Sequence, residues 1–150
     1  MYQIEVVSDE ELVADVPTGL LAAAARATLI HQDSPPGELT ILVTTDEMMA
    51  ALNQTHRGVH EPTDVLAFPG GTHPAPPEFP RYLGDIAISL PRAQAAAGAH
   101  SLEAELQLLS VHATLHLLGH DHAGDDAKAR MWVAQREILS ILGVSVSVDE

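Results

Sequence analysis

Residues 101–122 read SLEAELQLLSVHATLHLLGHDH, and this stretch predicts a long helix that leads into a histidine-rich bend. Ser101 is the type of residue that opens a helix, here at about Leu102. Gly119 ends the helix after about Leu118, because glycine tolerates the positive φ that a sharp change of direction requires. The leucines around the histidines indicate that the helix is largely buried. The sequence therefore predicts a long core helix with polar side chains at its end.

Outside this helix, the patterning predicts four strands and four more helices. The β-branched run LTILVTT is typical of a strand, and proline, glycine and acidic residues separate the other segments. The strands are predicted at about residues 3–8, 39–45, 64–68 and 83–90, and the other helices at about 17–31 and 47–55, from 91, and at 126–142. We therefore expect one domain over residues 1–150 with an α+β (mixed α/β) fold: a mixed sheet of about four strands and about five helices, on both faces of the sheet.

The composition limits the class of protein. The chain has 150 residues, of which 46% are hydrophobic, so it suits a single folded domain and not a disordered chain. It has no cysteine, which excludes disulfides, thiol catalysis and cysteine-based zinc sites. No apolar run approaches the roughly 20 residues of a membrane span, and the first residues do not resemble a signal peptide. We expect a cytoplasmic protein with no membrane partner.

The charge is strongly acidic. Seven Lys and Arg residues stand against 21 Asp and Glu residues, which gives a formal net charge of −14. Such a surface repels polyphosphates at long range, so sequence-independent binding of DNA is not expected. An RNA partner would have to be bound through a local patch.

The spacing of the histidines predicts a metal site. His112 and His116 are four residues apart on the predicted helix, which places their Cβ atoms on one face about 6 Å apart. Gly119 allows the chain to swing back and present a third imidazole. We favour His122 over His120 for that role, because His120 would serve only if the helix continued past the glycine. Three imidazoles with an open fourth position are typical of a catalytic zinc site, at the end of the long helix.

These histidines allow two other interpretations. They could form a polar stripe on a surface helix, but the surrounding leucines indicate burial, and a buried imidazole needs a partner. The site could also belong to a zinc peptidase, in which a glutamate follows the first histidine and acts as the base. Ala113 occupies that position here, which counts against proteolysis. A zinc-bound water can ionise near neutral pH without that base.

Arg57 is the second candidate for a functional residue. It lies at the predicted end of a helix, next to Gly58. A basic residue there could simply satisfy the last carbonyls of the helix. It could also bind an anion, because the planar guanidinium fork suits phosphate. The sequence alone favours neither role.

Three motifs together resemble the YbeY family: LNQTHRGVHEPTDVLAFP at 52–69, LGDIAISL at 83–90 and HATLHLLGHDH at 112–122. The resemblance covers most of the chain. It implies a bacterial, metal-dependent, single-strand-specific endoribonuclease. Such an enzyme acts in late-stage processing of ribosomal RNA, notably maturation of the 3′ end of the small-subunit RNA, and in ribosome quality control.

The resemblance also assigns roles to residues. His112, His116 and His122 match the three ligands of one zinc ion per chain, so His112 belongs to the catalytic centre, and Arg57 matches an arginine important for activity. Asp85 matches an acid whose role we expect to be structural or in support of a ligand.

Other positions next to these motifs are less certain. His120 and Asp121 are expected either to support a ligand or to face the substrate. Ala113, His56 and His120 depart from, or vary within, the family pattern, but none is a ligand.

The expected mechanism combines two parts. Zinc lowers the pKa of a bound water and polarises a phosphoryl oxygen, and Arg57 binds the scissile phosphate and stabilises the charge of the transition state. Attack by that water and attack by the 2′-OH of the RNA both remain open. The resemblance implies ribosomal RNA, the ribosome or ribosomal proteins, and the GTPase Era as partners. The alternatives are a zinc peptidase and a non-catalytic, metal-bound factor for ribosome assembly.

Overall fold

The computed structural model describes residues 2–12, 15–70, 81–98, 100–120 and 124–144. These residues form four strands and five helices. In chain order they are β1 (Tyr2–Ser8), α1 (Thr18–His31), β2 (Gly37–Thr44), α2 (Asp46–Arg57), β3 (Val65–Pro69), β4 (Arg81–Ser89), α3 (Leu90–Ala97), α4 (Leu102–Leu117) and α5 (Asp125–Leu142). The predicted α+β class and the predicted order of elements are confirmed.

The four strands form one mixed sheet in the order β1-β2-β4-β3. β1 pairs with β2 and β2 with β4 in parallel, whereas β3 pairs with β4 in the antiparallel direction. β3 is therefore an edge strand, and the segment before it comes directly from the end of α2. This connection brings the end of α2 to the same edge of the sheet.

Helices cover both faces of the sheet, as predicted. On one face, buried aliphatic side chains of β2 and β4 pack in one cluster with residues of α1, α3 and α4, among them Leu21, Ala93 and Leu106. α5 packs behind α1 and α4 around Met131 and Ile138. On the other face, α2 packs through Met49 against β3 and β4. None of the described helices is both long and apolar enough to cross a lipid bilayer.

Local signals in the sequence account for both ends of α4 and for the end of α2. Ser101 caps α4 by accepting a hydrogen bond from the backbone N–H of Ala104. At the other end, Gly119 has a φ of +102°, in the region that favours glycine. Gly58 ends α2 in the left-handed conformation, with a φ of +74°. α4 therefore ends within one residue of its predicted end, whereas α2 runs two residues past its predicted end at about residue 55 and stops at the glycine.

Gly84 of β4 lies where β3, β4 and the end of α4 meet. A Cβ atom at this position would lie 2.3 Å from the carbonyl oxygen of Phe68 and 2.8 Å from a methyl carbon of Leu117. Its φ of +143° is also one that side chains rarely adopt. The close approach of these three elements therefore requires glycine.

Candidate active-site cleft

An open cleft of about 810 Å³ lies between the end of α2, the edge strand β3 and α4. Its described lining consists of His56, Arg57, residues 64–69, His112, Ala113 and His116. The fold thus brings together two motifs that the sequence separates by more than forty residues, because β3 follows α2 and also packs beside α4.

His112 and His116 point their outer ring nitrogens at each other in this cleft. The two Nε2 atoms are 3.2 Å apart, and the ring planes meet at 74°. A tetrahedral zinc ion with Zn–N distances of about 2.0–2.1 Å holds two of its ligand nitrogens about 3.3 Å apart. The spacing of the two imidazoles therefore fits a shared zinc ion.

The predicted third ligand, His122, lies outside the described residues, and so does Asp121. Among the residues that the structure does describe, no third histidine, cysteine or acidic residue joins His112 and His116 in a group that could hold a metal. The pair alone supports a metal site, and His122 stays a prediction.

Gln135 of α5 binds the inner nitrogen of His112. Its Oε1 lies 3.0 Å from the Nδ1 of His112, and its side chain is buried, with 6% of the residue exposed. Because an amide oxygen only accepts, the Nδ1 of His112 carries the proton and donates it. The Nε2 of His112 is then left with a lone pair that faces His116, as a metal ligand requires.

Arg57 is the last residue of α2, is exposed and lines the cleft. The N–H of Gly58 donates to the carbonyl of Gln54, so the backbone itself caps the helix. The segment that follows is held down by Asn53, whose Nδ2 donates to the carbonyl of Glu61 at 3.0 Å. The described geometry thus places a guanidinium in the same cleft as the histidine pair, which favours anion binding over a capping role.

A family model described as Endoribonuclease YbeY matches residues 3–143 of this sequence. The chain belongs to the YbeY family. A protein from Chloroflexus aurantiacus named Endoribonuclease YbeY is 47% identical over 152 residues, which cover 96% of this chain and 97% of that protein. A protein of the same name from Halalkalibacterium halodurans is 42% identical over 137 residues, 85% of each chain. The resemblance noted in the sequence is confirmed.

The fold agrees with a solved structure. The solution structure of a protein from Thermotoga maritima matches with a TM-score of 0.61 and covers 99% of this chain and 97% of that one. The two sequences are only 20% identical, so this likeness supports the fold of the YbeY chain and nothing more.

Asp85 lies away from the histidine pair. Neighbouring residues of a strand point to opposite faces, and the next residue, Ile86, is buried in the cluster beneath α4. Asp85 is exposed on the other face, where the hydroxyl of Tyr82 donates to its carboxylate. This position favours the structural role over support of a ligand.

His120 lies on the side of the molecule that faces α1 and α5. Its Nε2 is 2.7 Å from the Oε1 of Gln32, at the end of α1. This contact favours a role in holding the chain just after α4 over contact with the substrate.

Three residues that line the cleft or contact its histidine pair were not predicted from the sequence. Gln135 carries a signal, since it stands among Met131, Ala134 and Ile138 on the buried face of α5, where a polar side chain needs a partner. His56 and Phe68 line the cleft with their rings 4.3 Å apart. They come from a helix and a strand, so only the fold shows that they meet.

Proposed function

We propose that this chain is a metal-dependent, single-strand-specific endoribonuclease that acts in maturation of ribosomal RNA and in ribosome quality control. Its membership of the YbeY family and the names of its relatives support the reaction class. The observation that carries the proposal is the cleft in which two histidine Nε2 atoms, 3.2 Å apart, lie with Arg57 in the same lining. The same cleft thus holds a candidate metal site and a guanidinium, two groups that suit a phosphate.

His112, His116 and His122 would hold one zinc ion in this proposal. When bound, zinc supplies Lewis-acid activation of a phosphoryl oxygen and of a water molecule. Gln135 keeps the proton of His112 on Nδ1, so that Nε2 stays available as a ligand. Arg57 donates to the phosphate oxygens, orients the scissile bond and stabilises the negative charge that develops on them.

Ala113 makes the peptidase alternative weaker. It lines the cleft directly after the first histidine, in the position where zinc peptidases carry a glutamate base. A methyl group cannot accept a proton. This chain therefore lacks that base in that place, whereas phosphodiester cleavage does not require it.

The acidic surface suggests how the substrate is supplied. The protein has a formal net charge of −14 and therefore repels free RNA at long range. The proposal therefore includes the ribosome or ribosomal proteins as the partner that presents the RNA, with the GTPase Era as a further candidate, and a cytoplasmic location.

The proposal is tested by separating the metal from the phosphate clamp. Arg57→Glu should keep its zinc and lose RNA cleavage by about a hundredfold or more, because a charge-stabilising donor is replaced by a repelling group. His116→Ala should lose the zinc as well. Elemental analysis gives the metal content, and digestion of single-stranded and duplex RNA gives the activity and its strand preference.

Arg136→Glu is the matched control, since Arg136 is an exposed arginine of α5 with the same change of charge. It should cleave RNA like the wild type. Full cleavage by Arg57→Glu would contradict the clamp, and full zinc content in His116→Ala would contradict the ligand assignment.

A further inference from the structure

Two rings from different elements meet at the wall of the cleft. His56, in the last turn of α2, and Phe68, of β3, lie with ring centroids 4.3 Å apart and planes tilted by 39°. Both line the cleft that contains the histidine pair. The sequence has two Phe, two Tyr and one Trp, and of those that the structure describes only Phe68 lines this cleft.

The two rings differ in how they are held. Phe68 packs against the buried cluster of Met49, Leu66 and Ala87, so its position is anchored by the core. His56 is exposed and lies against Phe68 on the outer side. An exposed ring that is supported from behind presents a flat surface with little freedom to move, which is the property of a stacking surface.

Arg57 is the next residue after His56. Successive side chains of a helix diverge by about 100°, so the two side chains reach different parts of the same cleft. One offers a ring and the other a guanidinium. This pairing matches a nucleotide, which carries a flat base and a charged phosphate a few ångströms apart.

We propose that His56, supported by Phe68, is the stacking site for one unpaired nucleobase next to the phosphate that Arg57 binds. The inference rests on the proposed function and deepens it. A base in a duplex is already stacked and paired, whereas an unpaired base can turn its face to a protein ring. The site therefore accounts for a preference for single strands.

The charge of the molecule supports the same conclusion. The chain has a formal net charge of −14, and Arg57 is the only Lys or Arg in the described lining of the cleft. Many phosphate contacts are not available to hold the RNA. Stacking does not depend on net charge, so it can supply affinity in an acidic protein.

The test uses the full-length, zinc-loaded protein and a short single-stranded RNA in which 2-aminopurine replaces one base at a time. Stopped-flow mixing measures the fluorescence before cleavage, because stacking on a ring quenches this base. The wild type should quench 2-aminopurine at one or two positions. His56→Leu should lose that quenching and bind about tenfold more weakly, which is within the usual contribution of one base stacked on an aromatic ring.

Two further variants separate the ring from its surroundings. His56→Tyr should keep the quenching, because it replaces one ring by a larger one. Phe68→Leu should reduce it, with a melting curve to confirm that the protein is folded. His60→Leu is the matched control, since His60 is an exposed histidine a short distance along the chain that is not part of the described lining. It should quench like the wild type.

Unchanged quenching and affinity in His56→Leu, in a protein that cleaves RNA, would overturn the stacking site and leave the proposed function standing. A wild type that neither binds nor cleaves RNA would overturn both. Loss of cleavage of an aromatic peptide in His56→Leu, with RNA binding unaffected, would also overturn the site and assign the rings to a peptide side chain.

Discussion

At the scale of single residues, the contact between Gln135 and His112 decides which imidazole nitrogen can bind a metal. An amide oxygen accepts the Nδ1 proton and so leaves Nε2 with its lone pair. Burying a glutamine costs free energy unless its polar atoms are hydrogen-bonded, so the contact with His112 stabilises Gln135 in its buried position. The metal affinity of the site should therefore depend on α5, which contributes none of the predicted ligands.

Gln135→Leu should weaken zinc binding by about 10–100-fold, because the ring of His112 loses the partner that sets its tautomer and orientation. Competition with a chelator measures the affinity. Gln107→Leu is the matched control: Gln107 is a buried glutamine of α4 and lies more than a turn from either histidine. Equal zinc affinities for the two variants would show that Gln135 does not support the site.

The role of Asp85 can be tested through the pH titration of Tyr82. Burial first, and then the hydrogen bond to Asp85, raises the pKa of Tyr82 above its ordinary value of 10.0. The stability from this pair is thus present below pH 10.0 and is lost as the pH rises through the raised pKa. Asp85→Asn should move the pKa of Tyr82 back towards 10.0 and leave the zinc content unchanged.

Phenolate absorbance measures this titration, and Tyr2→Phe removes the only other tyrosine from the signal. A loss of zinc in Asp85→Asn would favour the other role considered for this residue, the support of a ligand.

The residues that could be predicted are those whose signal is local. The pair of His112 and His116 follows from helical spacing together with the leucines around it, whereas the position of Arg57 at a helix end left capping and anion binding both open. Gln135 could not be paired with His112 from the sequence, since the contact depends on how α5 packs against α4. The meeting of His56 with Phe68 depends in the same way on the return of the chain from α2 into β3.

At the scale of elements, a chain of hydrogen bonds joins α1, α5 and the segment after α4. The Nε2 of His120 donates to Gln32, the amide of Gln32 donates to the Nδ1 of His31, and the Nε2 of His31 donates to Glu137. The three distances are 2.7, 3.0 and 2.8 Å. Gln32 is the central residue of these hydrogen bonds, because both the oxygen and the nitrogen of its side-chain amide take part.

Gln32→Leu should lower the free energy of unfolding by about 1–2 kcal/mol, because it removes two of these hydrogen bonds. It should also weaken zinc binding, because His120 starts the segment that leads to the predicted ligand His122. Denaturant unfolding and chelator competition measure the two effects. Gln54→Leu, at an exposed glutamine of α2, should change neither; the same stability in both variants would contradict a role for the chain of hydrogen bonds.

The boundaries of the elements were predictable to the extent that caps determine them. Thr45 and Ser101 accept hydrogen bonds from the first turns of α2 and α4, and Gly143 ends α5 in the left-handed conformation. The order of the strands was not predictable, because it depends on which strands pair across the sheet. The edge position of β3, which opens the cleft, is a result of that pairing.

At the scale of the whole molecule, the charges are distributed so that the cleft contains little of the positive charge. Three of the seven basic residues, Lys128, Arg130 and Arg136, lie on α5, and Arg57 alone lies in the described lining of the cleft. Each phosphate that a protein neutralises on a single strand adds about 0.7 to the slope of log affinity against log salt. The number of phosphate contacts can therefore be read from a salt series.

Binding of free single-stranded RNA should weaken only about threefold between 50 and 200 mM salt, as expected for about one phosphate contact. Fluorescence anisotropy with a labelled RNA measures it. Arg57→Gln should flatten the dependence further, whereas Arg136→Gln should not alter it. A hundredfold decrease in affinity over this range would mean that many phosphates are bound and that the acidic surface does not limit binding.

The crowding around Gly84 has a consequence for how this enzyme can change. Any side chain there would push β3 and the end of α4 away from β4, since its Cβ atom would lie 2.3 Å from the carbonyl oxygen of Phe68 and 2.8 Å from a methyl carbon of Leu117. Gly84 has no side chain to react with anything, yet in a saturation library of β4 we expect codon 84 to return glycine among the active clones. The spacing of the elements that form the cleft thus depends on a residue that carries no reactive group of its own.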